Sequence, residues 1–196
     1  VLVVDEFDKS VSSGTPGELL VRCQGENPRH GFFSGYLKQP EETEKAWRGG
    51  WFHTGDVVIQ RSDGMLSFVD RKKNIIRRSG ENIAAAEVEE ALIENSTIQS
   101  IAVLAIKDDF HDEEIHACIV LMPNNSKTEM IANLIFEFGR NKLISYKLPG
   151  WISFLDRIPV TGTQKIQKDA IFPKDFNIKQ DPNSFDMRSL KRKKVS

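Results

Sequence analysis

Two charged residues, Asp56 and Arg71, have side chains suited to binding the hydroxyls of a ribose. Asp56 follows Thr54-Gly55 at the predicted end of a strand, where the glycine lets the backbone turn and leaves the carboxylate exposed. A carboxylate can accept hydrogen bonds from two adjacent hydroxyls, and an arginine adds a planar, permanently charged fork. Each residue alone also fits an ordinary role: Asp56 as a turn-capping aspartate and Arg71 as a surface arginine paired with Asp70.

Two further segments combine glycine with basic residues. The segment Arg77-Arg78-Ser79-Gly80-Glu81-Asn82 is a basic loop whose glycine permits close backbone approach by a ligand. The segment Thr161-Gly162-Thr163-Gln164-Lys165 reads as a polar turn, and its spacing does not fit a Walker A loop. Without other information, each is equally consistent with a solvated turn.

The remaining candidate groups predict no second site. His116 and Cys118 lie two apart on one strand face, as a nucleophile and its base could, but no third residue orients them, so a packed core pair is expected. The four histidines lack metal-ligand spacing, which predicts no bound zinc. The basic run at residues 191–194 has no aromatic stacking surface beside it and is predicted to be a solvated tail that binds no nucleic acid.

Composition describes an ordinary globular protein. Of the 196 residues, 39% are hydrophobic and 28% are charged. The net charge of −1 produces no overall electrostatic attraction to nucleic acid or anionic lipid. No apolar run approaches the roughly 20 residues of a membrane span. Cys23 and Cys118 lie in apolar stretches and are expected to be buried free thiols in a reducing compartment, which favours the cytoplasm.

The first seventy residues predict a small antiparallel β unit with one helix. Apolar runs separated by Gly, Pro and Ser clusters predict strands at residues 2–4, 18–22, 51–52, 57–59 and 66–69, with a turn at residues 62–64. Residues 40–47 open with a proline followed by acidic residues, which favours a short helix.

The rest of the chain predicts a mixed unit, so the fold class is α+β. Helices are expected at residues 86–93 and 126–143, with Ser126 as the cap of the second and Met130, Ile131, Leu134, Ile135 and Phe138 as its buried stripe. Strands are expected at residues 98–106, 115–122 and 151–155, with an acidic cluster between the first two and a short helix at residues 169–171. From Lys174 onward the pattern is polar and weak.

Taken together, the motifs resemble the hinge region of adenylate-forming enzymes. The resemblance rests on Gly50-Trp51-Phe52-His53-Thr54-Gly55-Asp56, Asp70-Arg71-Lys72-Lys73, the basic loop at residues 77–82 and residues 158–165. It covers about residues 5–173 and is strongest toward the acyl-CoA ligase branch, especially crotonobetaine/carnitine-CoA ligases. Many relatives have lysine where Arg77 stands and glycine where Gln164 stands.

The resemblance implies a role for each matching residue. Asp56 and Arg71 would bind the nucleotide ribose, and Lys73 would be the hinge of a mobile lid. Lys165 would stabilise the adenylation step by bridging the substrate carboxylate and the α-phosphate. The channel for the pantetheine arm of CoA would be lined by Arg77, Ser79, Gly80 and Glu81.

The implied reaction joins a carboxylic acid to CoA with ATP, through an acyl-adenylate. The resemblance assigns residues 1–70 to the last β subdomain of the large AMP-binding domain, residues 71–173 to the lid domain and residues 174–196 to a basic tail. The phosphate-binding loop, the acyl pocket and the glutamate that holds Mg²⁺ are expected before Val1, so the isolated chain is expected to be inactive. An adenylating enzyme that does not use CoA, such as a luciferase or peptide-synthetase module, and a non-catalytic interaction domain remain alternatives.

Overall fold

The computed structural model describes residues 1–191, which form two compact units: Val1–Lys73, and a second unit that begins at Asn74. The first unit extends three residues past the predicted boundary at residue 70. The reason is local: Arg71 still belongs to a strand, and Lys72 donates a hydrogen bond to Glu18 within the same unit.

The first unit is a four-stranded antiparallel sheet with one short helix. Its strands pair in chain order, and the predicted turn at residues 62–64 does join the last two. The elements are β1 (Leu2–Val4), β2 (Pro16–Val21), α1 (Pro40–Ala46), β3 (Phe52–Gln60) and β4 (Leu66–Arg71). An aromatic cluster packs α1 and the segment before it onto β3, with Trp47 against Phe32 and Phe52.

The second unit combines a mixed sheet with two principal helices. Its elements are β5 (Ile75–Arg78), β6 (Glu81–Ala84), α2 (Ala85–Ile93), β7 (Ile98–Asp108), β8 (Asp112–Leu121), α3 (Glu129–Arg140), β9 (Trp151–Leu155), β10 (Ser184–Asp186) and α4 (Arg188–Lys191). The order is β10-β9-β8-β5-β6, with β7 also paired to β8, and β8–β9 is the parallel pair. The expected α+β class is confirmed.

The core of the second unit lies between the sheet and helices α2 and α3. Each helix contributes the side chains on one face to it, such as Val88 and Leu92 from α2 and Ile135 and Phe136 from α3. The strands supply β-branched residues, whose stiff side chains pack well on a pleated surface. In the described residues, no helix is long and apolar enough to cross a membrane.

The prediction for α3 was wrong in its cap and in part of its buried face, although Ile135 is buried and Ile131 packs against the core as expected. Thr128, not Ser126, caps the helix by accepting a hydrogen bond from the Ile131 N–H. The fully buried residues are Ala132, Ile135, Phe136 and Gly139, whereas Met130 and Leu134 are exposed. The apolar residues span more than one face, so periodicity alone could not show which face meets the sheet.

The predicted polar tail is folded in its described part. β10 pairs antiparallel with β9, and Ile178 and Met187 are buried. Lys191 is buried as well, which corrects its prediction as a solvated residue, while the other basic residues of the run lie outside the described residues. This segment was missed because its few apolar residues are isolated in a polar sequence.

Candidate nucleotide site and lid turns

The predicted ribose-binding residues, Asp56 and Arg71, lie directly opposite each other on β3 and β4. Arg71 Nη1 lies 2.8 Å from Asp56 Oδ1 and 3.3 Å from the Thr54 carbonyl oxygen. Asp56 is thus inside β3 rather than at a strand end, and Arg71 pairs with Asp56 rather than with Asp70. The Asp70 carboxylate instead accepts the backbone N–H of Arg71.

The ion pair leaves part of both groups available to a ligand. Asp56 Oδ1 is buried facing Arg71 Nη1 and has no hydrogen bond of normal geometry among the described residues, so the exposed part of the Asp56 side chain lies at its other atoms. The Arg71 side chain is 56% exposed and that of Asp56 is 27% exposed. At one place, therefore, the carboxylate can accept hydroxyl hydrogens while the neighbouring guanidinium donates to oxygens.

A bulge in β3 sets the position of Asp56. The register between β2 and β3 shifts between Glu18 and Leu20, so that three residues of β3 lie opposite a single residue of β2. Gly55 has φ +70°, a left-handed conformation that costs glycine least. The Asp56 N–H donates to Thr54 Oγ1, whose hydroxyl donates to the Leu19 carbonyl.

Glu18 is a residue of this site that sequence reasoning missed. Its carboxylate is 5% exposed and accepts hydrogen bonds from Lys72 Nζ at 2.7 Å and from the Gly55 N–H at 3.3 Å. Burial alone raises the pKa of Glu18, but the hydrogen bonds and charges of Lys72 and His53 outweigh it and hold the pKa below its ordinary value. The sequence offers only a glutamate within an alternating strand as a signal.

One cluster brings metal-type ligands together. Asp8, Glu18 and His53 carry ligand atoms within 4.8 Å of one another. However, Arg48 and Lys72 already contact the Glu18 carboxylate, and a metal ion would have to displace or oppose both cations. We therefore assign no metal to it, and the expected absence of zinc stays a prediction.

The predicted hinge residue, Lys73, lies in a 3₁₀ turn, Lys72–Asn74, at the division between the two units. The turn joins β4, which carries Arg71, to β5, which begins the second unit. Lys73 is exposed at this position.

The predicted basic loop is a tight β-hairpin turn, not a link between a strand and a helix. β5 and β6 pair antiparallel, and Ser79 and Gly80 form the turn with φ +52° and +83°. Two successive left-handed residues are typical of a type I′ turn, whose twist matches the flanking strands. We call this the hairpin turn; Arg77, Ser79, Gly80 and Glu81 are all exposed on it.

Neighbouring side chains brace the hairpin turn. Ser79 Oγ lies 2.9 Å from His111 Nδ1, and the Ser79 N–H donates to the His111 carbonyl. The Arg77 N–H donates to Glu113 Oε2 at 2.7 Å. These contacts come from the β7–β8 connection and the start of β8, and they restrict the position of the turn.

A buried ion triad lies beneath the hairpin turn. Glu114 is fully buried and accepts hydrogen bonds from Arg78 Nε at 2.9 Å and Lys191 Nζ at 2.6 Å. Burial lowers the pKa of Lys191 to about 8, although Glu114 acts in the opposite direction. The acidic cluster that was expected between two strands therefore extends into β8. Its buried residue, Glu114, is tolerated there because Arg78 and Lys191 neutralise its charge. Gly150 packs against this carboxylate so closely that a Cβ would lie 2.3 Å from Glu114 Cγ.

Lys165 lies in a short exposed turn at residues 161–166, which we call the lysine turn. Val160 and Ile166 form an antiparallel bridge, and the Thr161 N–H donates to the Lys165 carbonyl at 2.8 Å. Gln164 has φ +62°, so it adopts the left-handed conformation that a glycine would adopt with less strain.

The lysine turn is anchored just after its end. Lys168 Nζ contacts Glu89 at 2.7 Å and donates to the Val103 carbonyl at 3.0 Å, which ties the segment to α2 and β7. Lys165 itself is exposed, and its described hydrogen bonds are made by its backbone.

The predicted packing of His116 with Cys118 is confirmed, and the pair has no catalytic arrangement. Both are buried, and His116 Nε2 lies 2.6 Å from Ser153 Oγ and 3.7 Å from Cys118 Sγ. Burial lowers the pKa of His116 to about 3 and raises the pKa of Cys118, so both are neutral near pH 7. Cys23, by contrast, is only partly buried, unlike its prediction.

The geometry can be compared with known proteins. Residues 87–165 match the family model of the AMP-binding enzyme C-terminal domain. A relative from Arabidopsis thaliana, probable acyl-activating enzyme 5, peroxisomal, is 38% identical over 85% of this chain and 29% of its own length. The crotonobetaine/carnitine–CoA ligase of Proteus mirabilis is 34% identical over 84% of this chain and 31% of its own length.

A solved structure has the same architecture. The o-succinylbenzoate CoA synthetase of Bacillus subtilis, in complex with its acyl-adenylate intermediate, superposes with a TM-score of 0.73 and 25% identity over 90% of this chain and 34% of that one. The family match and the fold thus define a C-terminal domain of the AMP-binding type, preceded along the chain by a small β unit.

The chain contains an AMP-binding enzyme C-terminal domain and is similar to acyl-activating enzymes and crotonobetaine/carnitine–CoA ligases, as the motifs predicted. It spans 29–31% of the length of the two curated relatives.

Proposed function

We propose that this chain supplies the ribose-binding pair and the mobile lid of an AMP-forming acid–CoA ligase. In the first half-reaction the substrate carboxylate attacks the α-phosphate of ATP, and pyrophosphate leaves. In the second half-reaction the CoA thiol attacks the acyl carbonyl of the adenylate, and AMP leaves. The observation that carries the proposal is the direct pairing of Asp56 and Arg71 across β3 and β4, with the Arg71 side chain exposed and that of Asp56 partly exposed.

The pair would bind the ribose through both half-reactions. Asp56 would accept the 2′ and 3′ hydroxyl hydrogens, and Arg71 would donate to ribose oxygens while holding the carboxylate in place. We assign no Mg²⁺ ligand to this chain, because its best-placed carboxylates, Asp56 and Glu18, are already paired with cations.

The two turns of the second unit would act one after the other. Lys165 would place its ammonium between the carboxylate and the α-phosphate, offsetting the negative charge that builds in the transition state. Rotation of the unit about Lys73 would then replace the lysine turn by the hairpin turn. Only a few backbone torsions need to change in such a hinge.

The hairpin turn would line the path of the pantetheine arm of CoA. Gly80 and Ser79 bring backbone close to a ligand, and Arg77 and Glu81 give the edges opposite charges. We propose a small or medium carboxylic acid as the substrate and a cytoplasmic location for the enzyme.

The test separates the half-reactions in the protein expressed from its complete coding sequence. Lys165→Ala should lower acyl-adenylate formation by roughly 10²- to 10³-fold, measured as pyrophosphate release. Thioester formation from a supplied acyl-adenylate should change less than about twofold, because that step would use the other turn. Lys174→Ala, a change of another exposed lysine, is the matched control and should affect neither step.

Three results would count against the proposal. An equal loss in both half-reactions would contradict the two-turn assignment. AMP release that does not depend on CoA would favour an adenylating enzyme of another kind. A complete protein without adenylation of any acid tested would favour a non-catalytic role.

A further inference from the structure

Glu18 is a buried carboxylate whose charge the proposed chemistry does not use. It lies on β2 with 5% of its side chain exposed, facing the bulge in β3. A buried charge is tolerated when other charges and hydrogen bonds surround it, so its partners show what the carboxylate does for the structure.

The partners of Glu18 converge from three elements of the first unit. Oε2 lies 2.7 Å from Lys72 Nζ, 3.3 Å from His53 Nδ1 and 3.7 Å from Arg48 Nη2. Oε1 accepts the Gly55 N–H at 3.3 Å. The carboxylate therefore joins β3, the 3₁₀ turn that follows β4, and the 3₁₀ turn Arg48–Gly50 that follows α1.

Two of these partners are the immediate neighbours of the ribose-binding residues. Gly55 precedes Asp56, and Lys72 follows Arg71. The bulge takes the Gly55 N–H out of the regular β2–β3 ladder, and Glu18 supplies the acceptor that the ladder no longer provides. One carboxylate thus holds the chain beside both members of the pair.

We infer that Glu18 is a positioning residue that sets the separation and orientation of Asp56 and Arg71 toward the ribose hydroxyls. The inference rests on the proposed ribose-binding role of that pair. Glu18 itself does not touch the ligand. It acts by fixing the backbone at residues 55 and 72, since a small displacement of either residue misaligns two hydrogen bonds at once.

The test uses Glu18→Gln in the protein expressed from its complete coding sequence. Glutamine keeps the size and one acceptor oxygen, but in either orientation its N–H₂ group faces a donor, Lys72 Nζ or the Gly55 N–H, that needs an acceptor. Affinities are measured by calorimetry for AMP and for 2′,3′-dideoxy-AMP, which lacks the hydroxyls. AMP binding should weaken by about 5- to 20-fold, as expected for a lost hydrogen bond to a charged group.

The dideoxy analogue distinguishes positioning from a general loss of structure. Its affinity should change less than about twofold, because it makes no use of the hydroxyl contacts. The inference would be overturned if Glu18→Gln weakened the binding of both ligands equally, or if it left both affinities unchanged. Glu42→Gln changes an exposed glutamate of α1 that pairs with Lys45, and it should leave both affinities unchanged.

Asp56→Ala separates this inference from the proposed function. That variant should bring AMP down to the affinity of the dideoxy analogue. If AMP still binds more tightly than the dideoxy analogue, the ribose-binding role itself fails. If the two affinities become equal in Asp56→Ala but Glu18→Gln leaves the ratio of AMP affinity to dideoxy-AMP affinity unchanged, only the inference about Glu18 fails. Should Glu18→Gln not fold, Lys72→Gln removes one contact of the carboxylate, and an unchanged ratio there would overturn the inference equally.

Discussion

The hairpin turn and the lysine turn are both exposed, both contain left-handed residues, and both carry groups assigned to a ligand. They differ in what holds them. The hairpin turn contacts His111 and Glu113 and lies above the buried Arg78–Glu114–Lys191 triad. The lysine turn is closed by its own backbone bonds and anchored at one end by Lys168.

This difference shows two ways of presenting a group to a ligand. A turn that must offer its backbone needs a defined shape, which packing from other parts of the fold can supply. A turn that offers one long side chain needs only a stable base, because the lysine itself can search for its partner. Changes beneath the hairpin turn should therefore affect the whole second unit, while changes in the lysine turn should stay local.

The largest expected effect comes from removing the buried carboxylate of the triad. Glu114→Ala should lower the free energy of unfolding by about 3–5 kcal/mol, because Arg78 and Lys191 lose their partner while largely buried. Urea unfolding followed by circular dichroism measures it. Lys165→Ala should change the same quantity by less than about 0.5 kcal/mol.

A matched surface change completes the comparison. Glu94→Ala removes an ion pair with Lys142 in which both side chains are substantially exposed. Its cost should be at most about 1 kcal/mol. If Glu114→Ala costs no more than Glu94→Ala, the triad does not support the unit.

The second expected effect compares one glycine from each turn. Gly80→Ala should cost about 1–2 kcal/mol, because φ at this position is +83° and an L-residue is strained there. Gly162→Ala should cost less than about 0.5 kcal/mol, since its φ is not in the left-handed region and an added Cβ meets no atom within 4 Å. Thermal unfolding of both variants measures the difference.

The same two variants also separate the proposed roles. Gly80→Ala should slow thioester formation from a supplied adenylate more than it slows adenylation, and Gly162→Ala should not. Similar costs and similar kinetics for the two changes would show that the turns are not held differently.

The smallest expected effect concerns acid pH. The side chain of Asp108, at the end of β7, is buried, and burial raises its pKa. Hydrogen bonds from the Phe110 N–H and from Arg188, together with the charges of Arg188 and His111, outweigh burial and bring the pKa below its ordinary value of 3.8. A lowered folded-state pKa means that the stabilisation is present above 3.8 and is lost as the pH falls through the folded-state value.

Asp108→Asn should therefore make unfolding less dependent on pH below about 4. The effect is modest because Arg188 keeps its ion pair with Asp186. Urea unfolding over a pH series measures it, with Asp175→Asn, an exposed aspartate, as the control. An identical acid dependence in wild type and Asp108→Asn would rule out this contribution.

The local features of the fold were predictable from the sequence. The hairpin of β3 and β4, the short helix after Pro40 and the strands around Ile115 and Trp151 follow from apolar alternation and turn residues close together in the chain. The family resemblance was also found from short motifs, because their residues are adjacent or nearly so.

Features that depend on distant residues were not predictable in the same way. Part of the buried face of α3 was assigned wrongly, because Met130 and Leu134 are apolar but are exposed in the folded chain. The folded segment after Lys174 has too few apolar residues to show a period, and its place is set by pairing with β9. Glu114 was assigned to an acidic cluster between two strands rather than to a strand, because a charged residue is rarely buried and its partners are distant in the chain.

The amino-acid sequence by itself determined the strands, the turns and the identity of the candidate residues, since each depends on backbone preferences and side-chain types within a few positions. Only the tertiary structure decided which charges are buried and which turns are braced. Glu18 meets Lys72, Ser79 meets His111, and Glu114 meets Lys191 across long separations in the chain. Such pairs form because folding removes water from carboxylates that must then find cations or N–H donors, and no local pattern specifies which ones.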